Sequence, residues 1–139
     1  VTSSIFDILQ RGTILHNYDT TAINGIKIIA VPAYNITGGR DKFHPKGRDN
    51  GYILSIDGKQ IYIAGDSENI REMKSLGKID VAFLPMNQPY TMLPEQLVDA
   101  ARNINPKILY LYHFGDTDTT GLRKLLDKTN IDLRFRPMK

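Results

Sequence analysis

Apolar and polar residues follow two different periods along the chain, and the first half favours strands. Segments 52–56 and 60–64 are rich in β-branched and aromatic residues and flank the dipeptide Asp57-Gly58. That dipeptide is typical of a two-residue type I′ turn, so the two segments predict a β-hairpin. The β-branched segment 26–31 predicts a further strand ahead of it.

Past Asp66 the period changes, and helical segments alternate with strands. The predicted helices are 69–76, 94–104 and 119–128, and the predicted strands are 79–84, 107–112 and 131–135. A short amphipathic helix, capped by the hydroxyls of Ser3 and Ser4 and stopped by Gly12, precedes all of these. Helices between consecutive strands favour parallel pairing. The fold class is therefore α/β, a mixed sheet in which an antiparallel hairpin is followed by β-α-β-α-β units within one domain, 1–139.

Composition narrows the possible functions. The chain has 139 residues, of which 41% are hydrophobic and none is cysteine. Thiol nucleophiles, disulfide scaffolds and iron–sulfur clusters are thus excluded, and a metal would need His and carboxylate ligands. The longest apolar stretches fall far short of the roughly 20 residues that a membrane-spanning helix requires. A net charge of +3 favours anionic small molecules over nucleic acid.

The beginning of the chain carries no targeting signal. It starts with Val1 rather than Met and has neither a basic nor an apolar leader region. We therefore expect further residues upstream and a cytoplasmic location.

Candidate chemistry lies where apolar strands end. Asp66 and His113 each follow a predicted strand, as do Asn87 and Gln88. In α/β sheets ligands gather at the carboxyl ends of strands, and carboxylate and imidazole together suit zinc, manganese or iron. The alternatives are an Asp66 that caps the following turn and a His113 that bonds a backbone carbonyl.

A basic loop, 38–48, places four cations around His44: Arg40, Lys42, Lys46 and Arg48. Such a loop is suited to holding a phosphate or carboxylate, although a solvated surface loop with His44 as a bystander would show the same pattern. Further on, Thr91 is placed to cap the helix 94–104, and Tyr90 could line the mouth of a pocket.

Several short motifs, in order, resemble the metallo-β-lactamase superfamily. They are Val31-Pro32-Ala33-Tyr34-Asn35, Phe43-His44-Pro45-Lys46-Gly47, Gly51-Tyr52, Asp57-Gly58, Ile61-Tyr62-Ile63-Ala64-Gly65-Asp66-Ser67, Leu84-Pro85-Met86, Tyr90-Thr91-Met92 and Tyr112-His113-Phe114-Gly115-Asp116-Thr117. Within that superfamily the sequence is similar to Zn-dependent hydrolases related to ascorbate-6-phosphate lactonase and N-acylphosphatidylethanolamine phospholipase D. The likeness extends from about residue 14 onward.

The resemblance implies an αββα sandwich with one or two zinc ions, or manganese, at one sheet edge. It also implies a metal-bound hydroxide that attacks an ester, a lactone or a phosphodiester. By position, Asp66 matches the metal-bridging aspartate and His113 matches the last histidine ligand, so both are candidate catalytic residues. Asn35 occupies the approximate place of the middle histidine, and His44 could substitute for it.

The candidate substrate-binding residues are Asn35 by this resemblance, Lys46 from the basic loop and Tyr90 from its place at a pocket mouth. One part of the family pattern is missing, because the chain has no His-x-His-x-Asp-His string and only three histidines. It therefore resembles the C-terminal half of such a hydrolase, too small a part to be active alone. Its apolar sheet face would be covered by a missing N-terminal half or by another chain.

Two other functions compete with the hydrolase. One is a non-catalytic α/β binding or assembly module that kept the fold without a complete metal site. The other is a domain in which Asp66 accepts a phosphoryl group at a strand end. The antiparallel hairpin and the lack of an early acidic pair make this last function a poor fit.

Overall fold

The computed structural model describes residues 1–138, which fold around one seven-stranded sheet whose strands follow in chain order. The elements are α1 (Ser3–Leu9), β1 (Thr20–Ile23), β2 (Ile26–Ala33), β3 (Asp49–Ile56), β4 (Lys59–Ile63), a 3-10 helix (Arg71–Ser75), β5 (Val81–Pro85), α2 (Pro94–Ile104), β6 (Ile108–Tyr112), α3 (Leu122–Leu126) and β7 (Asp132–Arg134). Strands β1 to β4 pair antiparallel, and β4 to β7 pair parallel. The predicted α/β class is confirmed.

The hairpin between β3 and β4 forms as predicted. Asp57 and Gly58 have φ angles of 48° and 73°, and Ile56 pairs with Lys59 across the turn. Two successive positive φ angles are the signature of a type I′ turn, whose twist matches that of the flanking strands.

Strand β1 was not predicted from the apolar pattern. Its residues are mostly exposed, so no alternation of buried positions marks it. It pairs with β2 through Asn24 and Gly25, which have φ angles of 51° and 81° and form a second turn with two positive φ angles.

Three predicted helices differ from those observed. The segment 69–76 contains only a 3-10 helix, and helix 119–128 is reduced to α3. For α1, no side chain caps the N-terminus, and the helix ends with Gln10 in the left-handed conformation, before Gly12 is reached. The serine cap and glycine stop were therefore wrong.

The two faces of the sheet differ in burial. Alternate strand residues such as Tyr62, Leu84 and Leu109 are buried in one core with Met73, and α2 and α3 contribute to the same core. The register places Ile63 beside Phe83, and Phe83 beside Tyr110, on the opposite face, where all three are half-buried. One face is thus covered by helices, and the other is only partly covered, with Leu15 of the N-terminal segment lining a cavity beside Leu54 and Ile63. Within residues 1–138 no helix has the length and apolar character needed to cross a membrane.

Candidate functional site

The polar strand ends meet at one edge of the sheet. Strands β2 and β4 are both antiparallel to β3, so they run in the same direction, and β5 and β6 run parallel to β4. Their carboxyl ends therefore share one edge, to which Asp66, Asn87 and His113 belong. The loop between β2 and β3, which carries His44, lies at the same edge.

Asp66 lies between two histidines. Its Oδ1 atom is 3.0 Å from His113 Nδ1, and its Oδ2 atom is 3.6 Å from His44 Nε2. The side chains of Asp66 and His113 are about one-third exposed, whereas His44 is more buried. The Asp66 carboxylate thus faces two imidazole rings rather than capping the turn that follows it. The His113 ring bonds this carboxylate rather than a backbone carbonyl.

A tight backbone turn holds Asp66 in this position. Gly65 has a φ angle of 68°, and a Cβ atom there would lie 2.6 Å from the carbonyl oxygen of Asn50. Only glycine fits so close an approach. The hydroxyl of Tyr112 donates a 2.6 Å hydrogen bond to the carbonyl of Gly65, and burial raises the pKa of this tyrosine. The phenol thus stays protonated and anchors the turn.

The hydroxyl of Ser67 ties the Asp66 turn to the end of β2. Ser67 is fully buried, and its Oγ atom accepts the Tyr34 N–H at 3.2 Å, while its single hydrogen has two carbonyl acceptors in reach, Glu68 at 2.8 Å and Tyr34 at 3.1 Å. The serine of this Gly-Asp-Ser motif therefore links the Asp66 turn to the backbone of Tyr34, which requires its hydroxyl.

His44 is fixed by an acidic neighbour in the chain. Its Nδ1 atom lies 3.0 Å from Asp49 Oδ2, and Arg48 donates to both oxygens of Asp49 at 3.0 and 2.8 Å. Burial opposes the ionisation of Asp49, but the hydrogen bonds from Arg48 and His44 outweigh it and hold its pKa below the usual value. His44 is therefore a member of the site rather than a surface bystander.

A buried carboxylate organises the loop that carries His44. Glu68 is fully buried, and its Oε2 atom accepts the backbone N–H groups of Ile36 and Thr37 at 2.7 Å each. Arg40 Nη2 lies 2.9 Å from Glu68 Oε1 as an ion pair, and the same guanidinium donates to two carbonyls of the turn 87–91. We call Glu68 and Arg40 the loop clamp.

The cations of the basic loop are largely paired within the protein. Their contacts are Arg40 with Glu68, Arg48 with Asp49, Lys46 with Glu72 at 3.8 Å and the Tyr34 ring, and Lys42 with the Phe43 ring. The two arginines thus already bind carboxylates of the chain, and the binding of an external phosphate or carboxylate by this loop stays a prediction.

Asn35 does not reach Asp66. It is 3% exposed, and its amide nitrogen donates to the carbonyls of Arg40 at 3.1 Å and Tyr90 at 2.8 Å. These two bonds use both hydrogens of the amide nitrogen and give Asn35 a role in loop packing, while its buried Oδ1 atom has no hydrogen-bond partner and its role as a substrate contact stays a prediction. Of the two candidates for the middle position, His44 is the one beside Asp66.

Tyr90 and Lys46 lie exposed at the rim of the site. Tyr90 packs edge-on against Phe43 with ring centroids 5.0 Å apart.

The predicted helix cap at Thr91 is wrong, because its hydroxyl accepts the backbone N–H of Asn87 at 2.6 Å. The residue that precedes α2 is Leu93.

Four site residues were missed from the sequence: Arg40 as a buried ion-pair partner, Asp49, Glu68 and Tyr112. Two of them offered a signal, because Glu68 follows Asp66 by two residues and Tyr112 precedes His113. Asp49 is separated from His44 by four residues, a spacing with no known motif attached.

The imidazole and carboxylate groups at this edge are ligands that zinc or manganese accepts, but they are too few to complete a metal site. Among residues 1–138 no group of three or more His, Asp or Glu side chains is arranged to hold a metal ion. Asp66 faces His113 with one carboxylate oxygen and His44 with the other, so the three side chains do not converge on a single metal position. A structural zinc site needs four protein ligands and a catalytic one needs three.

Known proteins resemble this chain in sequence and fold. It is 34% identical over 107 residues to the UPF0173 metal-dependent hydrolase of Thermococcus onnurineus, covering 74% of this chain and 47% of that protein. A related hydrolase of Pyrococcus abyssi is 32% identical over 129 residues, covering 86% of this chain and 56% of that protein. The chain thus spans about half the length of the curated relatives it matches.

Two solved structures extend this similarity. A candidate metal-dependent hydrolase from Parabacteroides distasonis has 53% identity and a TM-score of 0.96, over 99% of this chain and 63% of that one. The metallo hydrolase Igni18 from Ignicoccus hospitalis, at 24% identity, shares the fold with a TM-score of 0.78, over 97% of this chain and 63% of that one. The model of the beta-lactamase superfamily domain matches residues 4–126. Because this match includes most of its length, the chain belongs to the beta-lactamase superfamily.

Proposed function

We propose that this chain forms part of the active site of a metal-dependent hydrolase that cleaves an ester, lactone or phosphodiester bond in a small molecule. The observation that carries the proposal is the meeting of His44, Asp66 and His113 at one sheet edge, with separations of 3.0 and 3.6 Å. The relatives are named metal-dependent hydrolases, which supports metal-dependent hydrolysis as the class of reaction. In this proposal the three side chains are zinc or manganese ligands, and further ligands come from outside the 139 residues.

A substrate would approach from the exposed rim. Lys46 and Tyr90 are the exposed side chains there, and Lys46 carries the charge that could meet an anionic group. Because Lys46 already lies near Glu72, we expect its contribution to binding to be modest.

We also propose that polypeptide outside the 139 residues covers the rest of the partly covered sheet face. Supporting this, Ile63, Phe83, Tyr112, His113 and Met138 line an apolar groove of about 440 Å³ that reaches the site. An exposed apolar face of this kind marks an interface. The relatives also contain about as many residues again as this chain matches.

Metal content tests the proposal. The 139-residue chain and a version extended by the residues that precede Val1 in its gene would be purified and assayed by elemental analysis. We expect little metal on the short chain and one or two equivalents on the extended one. In the extended protein, Asp66→Ala and His113→Ala should each lower the metal content and abolish hydrolysis of phosphoester and lactone substrates. His16→Ala, in the exposed His16–Asp19 pair, is the matched control. Full metal and turnover in the Asp66→Ala protein would refute the assignment.

The second candidate is a non-catalytic binding or assembly module. The observation in its favour is the lack of a complete ligand group within residues 1–138. If neither the short nor the extended chain retains metal, Asp66 and His113 are structural residues, and the binding module becomes the better description.

A further inference from the structure

The two nitrogens of the His44 ring face two different carboxylates. Nδ1 lies 3.0 Å from Asp49 Oδ2, within hydrogen-bond distance, while Nε2 lies 3.6 Å from Asp66 Oδ2, outside it. A neutral imidazole carries one N–H and one lone pair, and an ionised carboxylate can only accept. The hydrogen of neutral His44 therefore belongs on Nδ1, and the lone pair on Nε2 is directed toward Asp66.

Asp49 is itself held rigidly. Arg48 donates to both of its oxygens, at 3.0 and 2.8 Å, and the same guanidinium bonds the carbonyl of Phe43, the residue before His44. Asp49 is also the first residue of β3, where it pairs with Ala33. Its position is thus fixed by the sheet on one side and by Arg48 on the other.

We propose that Asp49, braced by Arg48, is a positioning residue that sets the tautomer of His44 and aims its Nε2 atom at Asp66. This inference rests on the proposed function, in which His44 is a ligand. A carboxylate that accepts the second N–H of a ligand histidine fixes the ring orientation and raises the basicity of the ligand nitrogen. The sequence motif around His44 does not reveal this role, because it depends on how the loop folds back on β3.

The tautomer can be measured without any substrate or metal. In the ¹⁵N-labelled 139-residue chain, two-bond proton–nitrogen correlation spectra show which ring nitrogen carries hydrogen, at a pH where the imidazole is neutral. We expect His44 to carry its hydrogen on Nδ1 in the wild-type chain. Asp49→Ala should shift it toward the Nε2–H form, whereas Asp49→Asn, which keeps an acceptor oxygen, should retain the Nδ1–H form.

Two controls separate this effect from a general disturbance. Asp132→Ala removes a carboxylate that binds Arg134 much as Asp49 binds Arg48, and it should leave the His44 signals unchanged. The exposed His16 serves as an internal reference in every sample. A wild-type His44 with its hydrogen on Nε2 would overturn the inference even if Asp49→Ala fails to fold, and so would a folded Asp49→Ala chain with an unchanged tautomer.

Zinc binding to the extended protein distinguishes this inference from the proposed function. We expect Asp49→Ala to weaken Zn²⁺ affinity about 10–100-fold, the usual effect of losing such a partner. A tautomer shift in Asp49→Ala, combined with undiminished Zn²⁺ binding in Asp66→Ala, would refute the proposed function and leave the role of Asp49 intact. If Asp66→Ala does weaken Zn²⁺ binding, an unchanged Zn²⁺ affinity in folded Asp49→Ala would show that the tautomer has no bearing on the site, and would overturn the positioning role.

Discussion

Removing the buried carboxylate of the loop clamp should destabilise the fold by several kcal/mol. Glu68→Ala leaves the N–H groups of Ile36 and Thr37 and the guanidinium of Arg40 without their shared acceptor. Hydrogen bonds to charged groups contribute about 1.5–3 kcal/mol each, and breaking a buried ion pair costs about 3–5 kcal/mol. These costs overlap, because Arg40 keeps its carbonyl partners, so we expect a loss of about 3–5 kcal/mol.

The expected change in melting temperature follows from the size of the chain. With an unfolding entropy of about 2.1 cal/mol/K per residue, 139 residues lose about 3–4 °C per kcal/mol, which gives about 10–17 °C for Glu68→Ala. Arg40→Ala should also cost about 3–5 kcal/mol, because the fully buried Glu68 carboxylate loses its counter-charge. Glu68→Gln should lie between wild type and Glu68→Ala.

Urea denaturation monitored by circular dichroism measures these differences. Asp132→Ala is the control, since it removes an exposed carboxylate from its arginine partner and should leave the unfolding midpoint unchanged. The reasoning is refuted if either Glu68→Ala or Arg40→Ala unfolds within about 1 kcal/mol of wild type.

Two further predictions concern the sheet and the acid limit of stability. A Cβ atom at Gly51 would lie 2.6 Å from the carbonyl oxygen of Ala64, which is fixed backbone, so Gly51→Ala should prevent folding as judged by circular dichroism. Gly77→Ala, with a φ angle of 77° and open space around it, should cost only about 1 kcal/mol. For Asp80, the hydrogen bonds from Lys107 and from the backbone N–H of Gln60 lower the pKa of the carboxyl to about 2. A depressed carboxyl pKa stabilises the fold above the unfolded value of about 3.9, and this effect is lost as the pH falls toward 2. The difference in melting temperature between wild type and Asp80→Asn should therefore shrink from pH 4 to pH 2, and a constant difference would contradict this.

The parts of the fold that could be predicted are those specified by local pattern. Helix α2 was predicted with its observed bounds because it begins with Pro94 and keeps one apolar face to Ile104. The β3–β4 hairpin followed from Asp57-Gly58 between two segments rich in β-branched and aromatic residues. Strand β1 was missed although Asn24-Gly25 is an equally good turn, because its exposed residues carry no alternation to attract notice.

The candidate site also contains residues that local sequence predicts and residues that it does not. Asp66 and His113 were identified because each directly follows an apolar strand, so that the sheet alone places them at one edge. Glu68 and Asp49 were not identified, because their partners depend on the path of the loop between β2 and β3. That path is set by contacts between residues about 30 positions apart, such as Glu68 with Ile36, and no local rule reports such pairs.

The two missed carboxylates act on opposite ends of one loop. Glu68 holds its beginning through Ile36, Thr37 and Arg40, and Asp49 holds His44 near its end. Neither anchor involves a metal or a substrate, so the loop has its shape before any ligand arrives, and such preorganisation is what a binding site requires. It follows that the Asp66 edge should be equally ordered in the isolated 139-residue chain. If the 139-residue chain binds no metal, the reason would then be too few ligands and not a disordered site. A higher metal content in the extended protein could therefore be assigned to the added ligands.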